Sequence, residues 1–282
     1  MRRGGQEHGA RLRLGVSASS FPSLTPHAAH SPTPPPYRMF GERNGLHGLW
    51  AQDLAASPIL THFAWSALVE LAFDTNRETI APTTAYEPPL STVPYTSNAE
   101  RYSPLPGLLV LHIRRGDYEA HCAHLARWSS TWLAFNGLPQ LEQFTPPPGG
   151  PDEGTATDEG MALYLERCYP SIARIVEHAE AARATEAAAG HAPLDRVYIM
   201  TNGASEWVAH LKAALAATGH FAHVASSRDL VLSWEQKYVA QAVDMLVGQR
   251  AQVFIGNGVR VSPLSPLPFF SFASLSRGAS DR

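Results

Sequence analysis

The sequence predicts an α/β protein, a Rossmann-like doubly wound parallel sheet. Three observations predict it. Residues 108–111 (LLVL) form a continuous aliphatic run, the pattern of a strand buried on both faces. From 108 to 258 short apolar runs alternate with segments of helical period, which implies parallel strands joined by crossover helices. Asn-Gly pairs at 202–203 and 257–258 follow two of those runs and close them.

Residues 1–45 precede this pattern and lack it. MRRGGQEHGARLRLG is basic and poor in apolar residues, and FPSLTPHAAHSPTPPPY is dense in proline and serine, so a disordered leader is expected. A proline-rich ligand for a partner domain is the other reading of that stretch. Residues 46–107 show no strand–helix–strand alternation. THFAWSALVELAF (61–73) reads as a short buried helix, and six prolines between 82 and 106 predict a loop over 81–107.

The domain proper is expected over 108–258. LLVLHIRRGD (108–117) is its first strand and exit turn, followed by the aromatic YEAHCAHLARWSSTWLAF and a Pro/Gly-rich surface loop at 139–160. Asp158 is placed to cap a helix interrupted at Pro170, and Ser171 to cap the next, with Ile172, Ile175, Val176 and Ala179 on one face. RVYIMT (196–201) is the second strand. Ser205 is expected to cap the helix carrying Trp207, Leu211 and Leu215. FAHVAS (221–226) is a third strand. Ser233 and Gln236 form a capping box for a helix over 234–250, whose apolar stripe is Val239, Ala242, Val243, Leu246 and Val247. QVFIG (252–256) is the fourth strand, and the tail 259–282 has no helical period and is expected to be unstructured.

Composition narrows the function. Lys plus Arg number 22 and Asp plus Glu 25, a formal charge of -3, which gives no reason to expect a nucleic-acid or membrane-surface partner. No apolar run is long enough to span a bilayer, and the N-terminal arginines lack the apolar segment of a signal peptide. Cys122 and Cys168 can form one bridge or remain buried thiols; spacing alone leaves both open. GxGxxG, P-loop, GxSxG and HExxH patterns are absent. His121 and His124 have no second ligand pair at a matching distance, so no metal site is expected.

The chemistry therefore concentrates at His112, Arg114, Arg115, Gly116 and Asp117. Ligands of open α/β sheets sit beyond the carboxyl ends of the strands, where this cluster falls. Two planar guanidinium forks suit a diphosphate, and they can stabilise a diphosphate leaving group. An internal Arg–Asp salt bridge at a strand end is the competing reading. An RGD adhesion loop fits poorly, because such a loop projects whereas this tripeptide leaves a buried strand.

HIRRGD resembles the H-x-R-R-x-D motif of the fucosyltransferases that use GDP-fucose. RRGDYEAHCAHLARW, RVYIMTNG and HVASSRDLVLSWEQKYVAQAVDMLVGQRAQVFIGNG resemble the fungal GDP-fucose protein O-fucosyltransferase-like family over most of residues 108–258. The resemblance implies the C-terminal, donor-binding half of a GT-B-type fold, with residues 46–107 as an incomplete N-terminal half. It implies fucose transfer from GDP-fucose to a hydroxyl of a protein or glycan acceptor, without a metal cofactor, and suggests the secretory pathway. Arg114 and Arg115 would contact the diphosphate, Asp117 would order both arginines, and His112 would face the nucleoside. Asp244 would accept hydrogen bonds from guanine, although the helical pattern sets it on a polar face with Lys237 and Gln241. Asn257 would join the donor site, and Glu119 is the candidate base.

The family's pattern is not followed throughout. No Gly/Asn-rich loop precedes Leu108, and Val259, Arg260 and Val261 stand where relatives carry a Ser-Ser segment that binds phosphate. These departures are what an incomplete or mis-spliced reading frame would produce. They leave, as the alternative, a non-catalytic module that binds a GDP-sugar or nucleotide, or a non-functional fragment.

Overall fold

The first strand begins earlier than the aliphatic run suggests. The computed structural model describes residues 57–82, 88–92, 94, 97–130 and 144–256, and in it β1 spans Leu105–His112. The expected loop of 81–107 thus gives way to strand while Pro106 and Gly107 are still to come. Two local features make that possible. The ladder to the neighbouring strand is irregular between Leu105 and Leu109, and Gly107 adopts φ +81 within the irregularity. The Gly107 amide donates to Gln252 Oε1 at 2.6 Å, and the Pro106 carbonyl accepts from Arg196 Nη2 at 2.8 Å. Proline brings no amide to the ladder, so an irregular stretch is where a central strand can hold one.

β2 (Arg196–Met200), β3 (His223–Ser226) and β4 (Ala251–Gly256) complete a four-stranded, all-parallel sheet in the order β3-β2-β1-β4. This is the doubly wound α/β architecture, because helices cover both faces. On one face α2 (Ala67–Thr75) and α10 (Ala240–Gln249) bring Val69, Phe73, Val243, Leu246 and Val247 onto Leu108, Val110, Tyr198 and Met200. On the other, α7 (Ile172–Ala188) and α8 (Ser205–Ala217) bring Ile175, Ala179, Leu211 and Leu215 onto Leu109, Leu111, Val197 and Ile199. Past the irregularity at Leu105–Leu109, alternate positions of β1 and β2 divide between the two cores, as the two-residue period of a strand requires.

Between Pro58 and Arg101 the described residues also form three short α-helices, α1 (Pro58–Thr61), α3 (Arg77–Ile80) and α4 (Asn98–Arg101), and a 3-10 turn at Leu90–Thr92. The helix expected over 61–73 is α2, and Ser66 caps it by accepting from the Val69 amide at 3.4 Å. Buried Glu70 is satisfied by a two-pronged bond from Arg101 (2.7 and 2.6 Å) and by the Tyr102 hydroxyl at 2.6 Å. A carboxylate so deep would be costly without such partners. The segment before residue 108 therefore shares the core of the sheet.

Several helix starts differ from expectation. α5 (Tyr118–Arg127) forms in the aromatic segment after β1, for which the sequence predicts no helix. α6 (Asp158–Cys168) is capped by Thr157, whose hydroxyl accepts from the Gly160 amide at 3.0 Å, so Asp158 is the first helical residue instead of the cap. α8 has Ala204 at its cap position and no side-chain cap; Ser205 is already inside the helix. Ser171 does cap α7, accepting from Arg174 N at 3.2 Å. The expected helix over 234–250 is two, α9 (Trp234–Lys237) and α10, with the capping box of Ser233 and Gln236 in place. Tyr238 and Val239 bond three residues back, to Glu235 and Gln236, which tightens the chain and breaks the run before α10.

Cys122 and Cys168 form a disulfide that joins α5 to α6, with the Cα atoms 5.8 Å apart. None of the described helices is long and apolar enough to cross a membrane. The expected leader 1–45, the tail 259–282 and Asn257 lie outside the described residues.

Candidate functional site at the end of the first strand

The sheet order places the arginine turn at a special position. From β1 the chain moves outward through β2 to β3 and then returns to the other side of β1 to form β4. Strand order reverses between β1 and β4, and a crevice opens at the carboxyl ends of such a pair. His112 ends β1 in register with Met200 of β2 and Gly256 of β4, and residues 113–117 form the turn into α5 at that end of the sheet.

Neighbours from β2 fix the turn. The Ile113 amide donates to Met200 O at 2.9 Å, and the Thr201 hydroxyl donates to the Ile113 carbonyl. The Arg115 amide donates to Asn202 Oδ1 at 2.7 Å, and the Tyr118 amide closes the turn on Arg115 O at 2.7 Å. Gly116 adopts φ +41, and a Cβ there would stand 2.8 Å from Asn202 Nδ2. Glycine is required at this point for both backbone angle and space.

The two arginines meet different fates. Arg114 is about half exposed; its Nη2 lies 3.3 Å from Asp117 Oδ2 and its guanidinium sits 5.0 Å from the centre of the Tyr118 ring. An exposed pair of this kind contributes little, about 0–1 kcal/mol, and yields readily to an anion. Arg115 turns inward. Its Nη1 donates to Pro170 O at 2.8 Å, and its guanidinium carbon lies 3.6 Å from the Tyr169 ring centre and 4.6 Å from that of Trp207. Burial lowers its pKa, and the nearby charge of Glu119 works against that shift. Asp117 therefore orders Arg114; aromatic rings and a carbonyl order Arg115, a correction to the expectation that Asp117 would hold both. The reason is the turn itself, which sends consecutive side chains in different directions. Glu119 is exposed in the first turn of α5, where its charge favours the Arg115 cation.

His112 belongs to the face of Leu108 and Val110. Its exposed ring stacks on Phe254 of β4, with 6.3 Å between centres and 28° between planes. Crowding by surrounding protein, and then the charge of Arg114, lowers its pKa, which keeps the ring neutral at physiological pH. Asp244 lies over the same sheet face. The helical pattern sets it on a polar face; in the structure the side chain is half-buried, and Oδ1 accepts from the Tyr198 hydroxyl at 2.7 Å. Gln241 and Lys237 stay exposed, while Asp244 alone of these polar residues reaches the buried strand tyrosine. Burial lifts the Asp244 carboxyl to about 6, opposed by bonds from Tyr198 and Ser227. Tyr198 is pushed far above its ordinary value by burial and the neighbouring carboxylate, so its hydroxyl stays a donor.

The structure thus gathers His112, Arg114, Arg115 and Asp117 at one strand end, with Arg115 held against the α7–α8 layer and Asp244 over the His112 face. Sequence reading missed Asn202, Tyr169, Trp207, Tyr198 and Ser227. Asn202 had read as a turn residue and Trp207 as part of a helix stripe; both have contacts far away in sequence. Among the described residues no group of three or more His, Cys, Asp or Glu side chains is placed to hold a metal ion. Scans against protein-family models and against curated proteins return no match for this chain.

Proposed function

We propose that this chain binds a nucleoside diphosphate sugar at the carboxyl edge of β1, and that it acts as a glycosyltransferase of the GDP-fucose-dependent class. The observation that carries the reading is the pair Arg114–Arg115 in the turn leaving β1, beside the point where strand order reverses. The H-x-R-R-x-D resemblance supplies the identity of the donor. Arg114, loosely held by an exposed carboxylate, turns to the diphosphate. Arg115 adds a fixed positive charge, already positioned by its aromatic neighbours. Neutral His112 and Asp244 line the nucleoside side, and Asp244 accepts from a guanine donor on lone pairs that Tyr198 leaves open.

In the transfer step the acceptor oxygen bonds to the anomeric carbon of fucose as the bond to the diphosphate oxygen breaks. The electron pair leaves on GDP, facing Arg114 and Arg115, and the acceptor proton passes to a base, for which Glu119 is the candidate in this turn.

A titration of the protein with GDP tests the donor site by calorimetry, and heats indistinguishable from buffer at high micromolar GDP would overturn it. Arg115→Lys is expected to weaken GDP by roughly tenfold or more, because a lysine reproduces neither the fork nor the stacking. A second reading is favoured by the inward commitment of Arg115: a module that binds the nucleotide without transferring the sugar. GDP release from GDP-fucose, measured with and without acceptor hydroxyls, separates the two.

A further inference from the structure

The residues that hold Arg115 reach it by two routes through the chain. Trp207 comes from α8. Tyr169 and Pro170 follow α6 directly, one and two residues beyond Cys168. Arg115 itself stands three residues before α5, and α5 carries Cys122. The disulfide therefore ties the helix that begins at the arginine turn to the helix that ends at the arginine's cage. Both cysteines are buried, at 0% and 1% exposure, so the bond lies inside the α5–α6 contact.

We propose that Tyr169, Pro170 and Trp207 are positioning residues for Arg115, and that the Cys122–Cys168 bond sets the placement of the first two. Affinity for an anion at the turn then depends on whether the bond is closed. That consequence rests on the anion-site reading above; the positioning does not. A second link, independent of the disulfide, runs from the Tyr164 hydroxyl of α6 to the carbonyl of Ser130, three residues past the end of α5, at 2.7 Å. Opening the bond thus loosens the cage and leaves α5 and α6 attached. Gly203 tightens the other wall: a Cβ there would stand 2.8 Å from Trp207 Cε3, so the ring that faces Arg115 is seated against a position that admits no side chain.

Labelling of arginines by a dicarbonyl reagent, mapped by peptide mass, tests this without any ligand. Arg196 is the internal reference. It lies at the opposite end of the sheet and is held by Asp195, Pro82 and Pro106. The comparison uses the oxidised protein and protein treated with a dithiol, which gives two electrons and two protons to the cystine and is itself oxidised to a disulfide. A Tyr169→Ala variant with the disulfide intact completes the set.

Arg115 labelling is expected to rise by roughly tenfold in both the reduced protein and Tyr169→Ala, with Arg196 unchanged. Equal Arg115 rates in oxidised and reduced protein would overturn the coupling. A parallel rise at Arg115 and Arg196 would also overturn it, since the bond would then stabilise the whole domain instead of the cage. An unchanged rate in Tyr169→Ala would remove Tyr169 as a positioning residue. Inorganic pyrophosphate binding, compared between the oxidised and reduced forms, then separates the two ideas. Failure to bind in the oxidised form counts against the anion site, whereas equal binding in both forms counts against control by the disulfide.

Discussion

Gly116 and Asp244 show how much one residue can carry here. Gly116 combines a left-handed backbone with a contact to Asn202 that leaves no room for a methyl group, whereas Gly190 has φ +74 and open space around it. Gly116→Ala is expected to lose roughly 1–3 kcal/mol and to weaken GDP as the turn shifts; Gly190→Ala should lose less and leave binding intact. Urea midpoints and GDP titrations of both variants check this. Asp244 makes a different prediction, about pH. Its carboxyl titrates near 6 in the folded chain against an ordinary 3.8, so between those values the folded state holds the extra proton. Stability from this group is therefore complete below about pH 3.8 and is lost as pH rises through 6, by roughly 3 kcal/mol in all. Asp229 and Glu180 have lowered values and act in the opposite sense, so the parent must be compared with Asp244→Asn. The stability of the variant relative to the parent should grow between pH 4 and pH 7 in urea unfolding.

At the level of elements, the strands were legible and the helix starts less so. The strand reading succeeded because β-branched and aliphatic runs have few other uses inside a sheet. The exception was Leu105–Gly107, where proline and glycine signalled a loop and a bulge against β4 absorbed them. Helix caps failed where two hydroxyl or carboxylate residues compete within a residue or two, since either satisfies the orphan amides until the backbone angle chooses. Thr157 won over Asp158 in that way, and Ser205 fell inside its helix. Ala204 is left as an uncapped start, with φ -58 and ψ 148. Ala204→Ser is expected to stabilise by about 1 kcal/mol, and Ser171→Ala to destabilise by a similar amount. Thermal unfolding midpoints of the two variants should move in opposite directions.

For the whole molecule, the disulfide closes a 46-residue separation and so restricts the unfolded chain by about 4 kcal/mol. Replacing both cysteines with alanine should lower the urea midpoint accordingly, in a measurement read alongside dithiol-treated parent protein. The sequence by itself determined the α/β class, the four strands and the clustering of His112, Arg114, Arg115 and Asp117. All of these follow from local pattern: aliphatic runs, helical period, and charge at a strand end. Tertiary structure decided the strand order that puts the cluster beside the point where that order reverses, the pairing of Cys122 with Cys168, and the capture of Arg115 by Tyr169 and Trp207. It also turned Asp244 from an apparent surface residue into a partner of Tyr198. Those decisions rest on contacts between residues far apart in the chain, which hydrophobic periodicity does not encode.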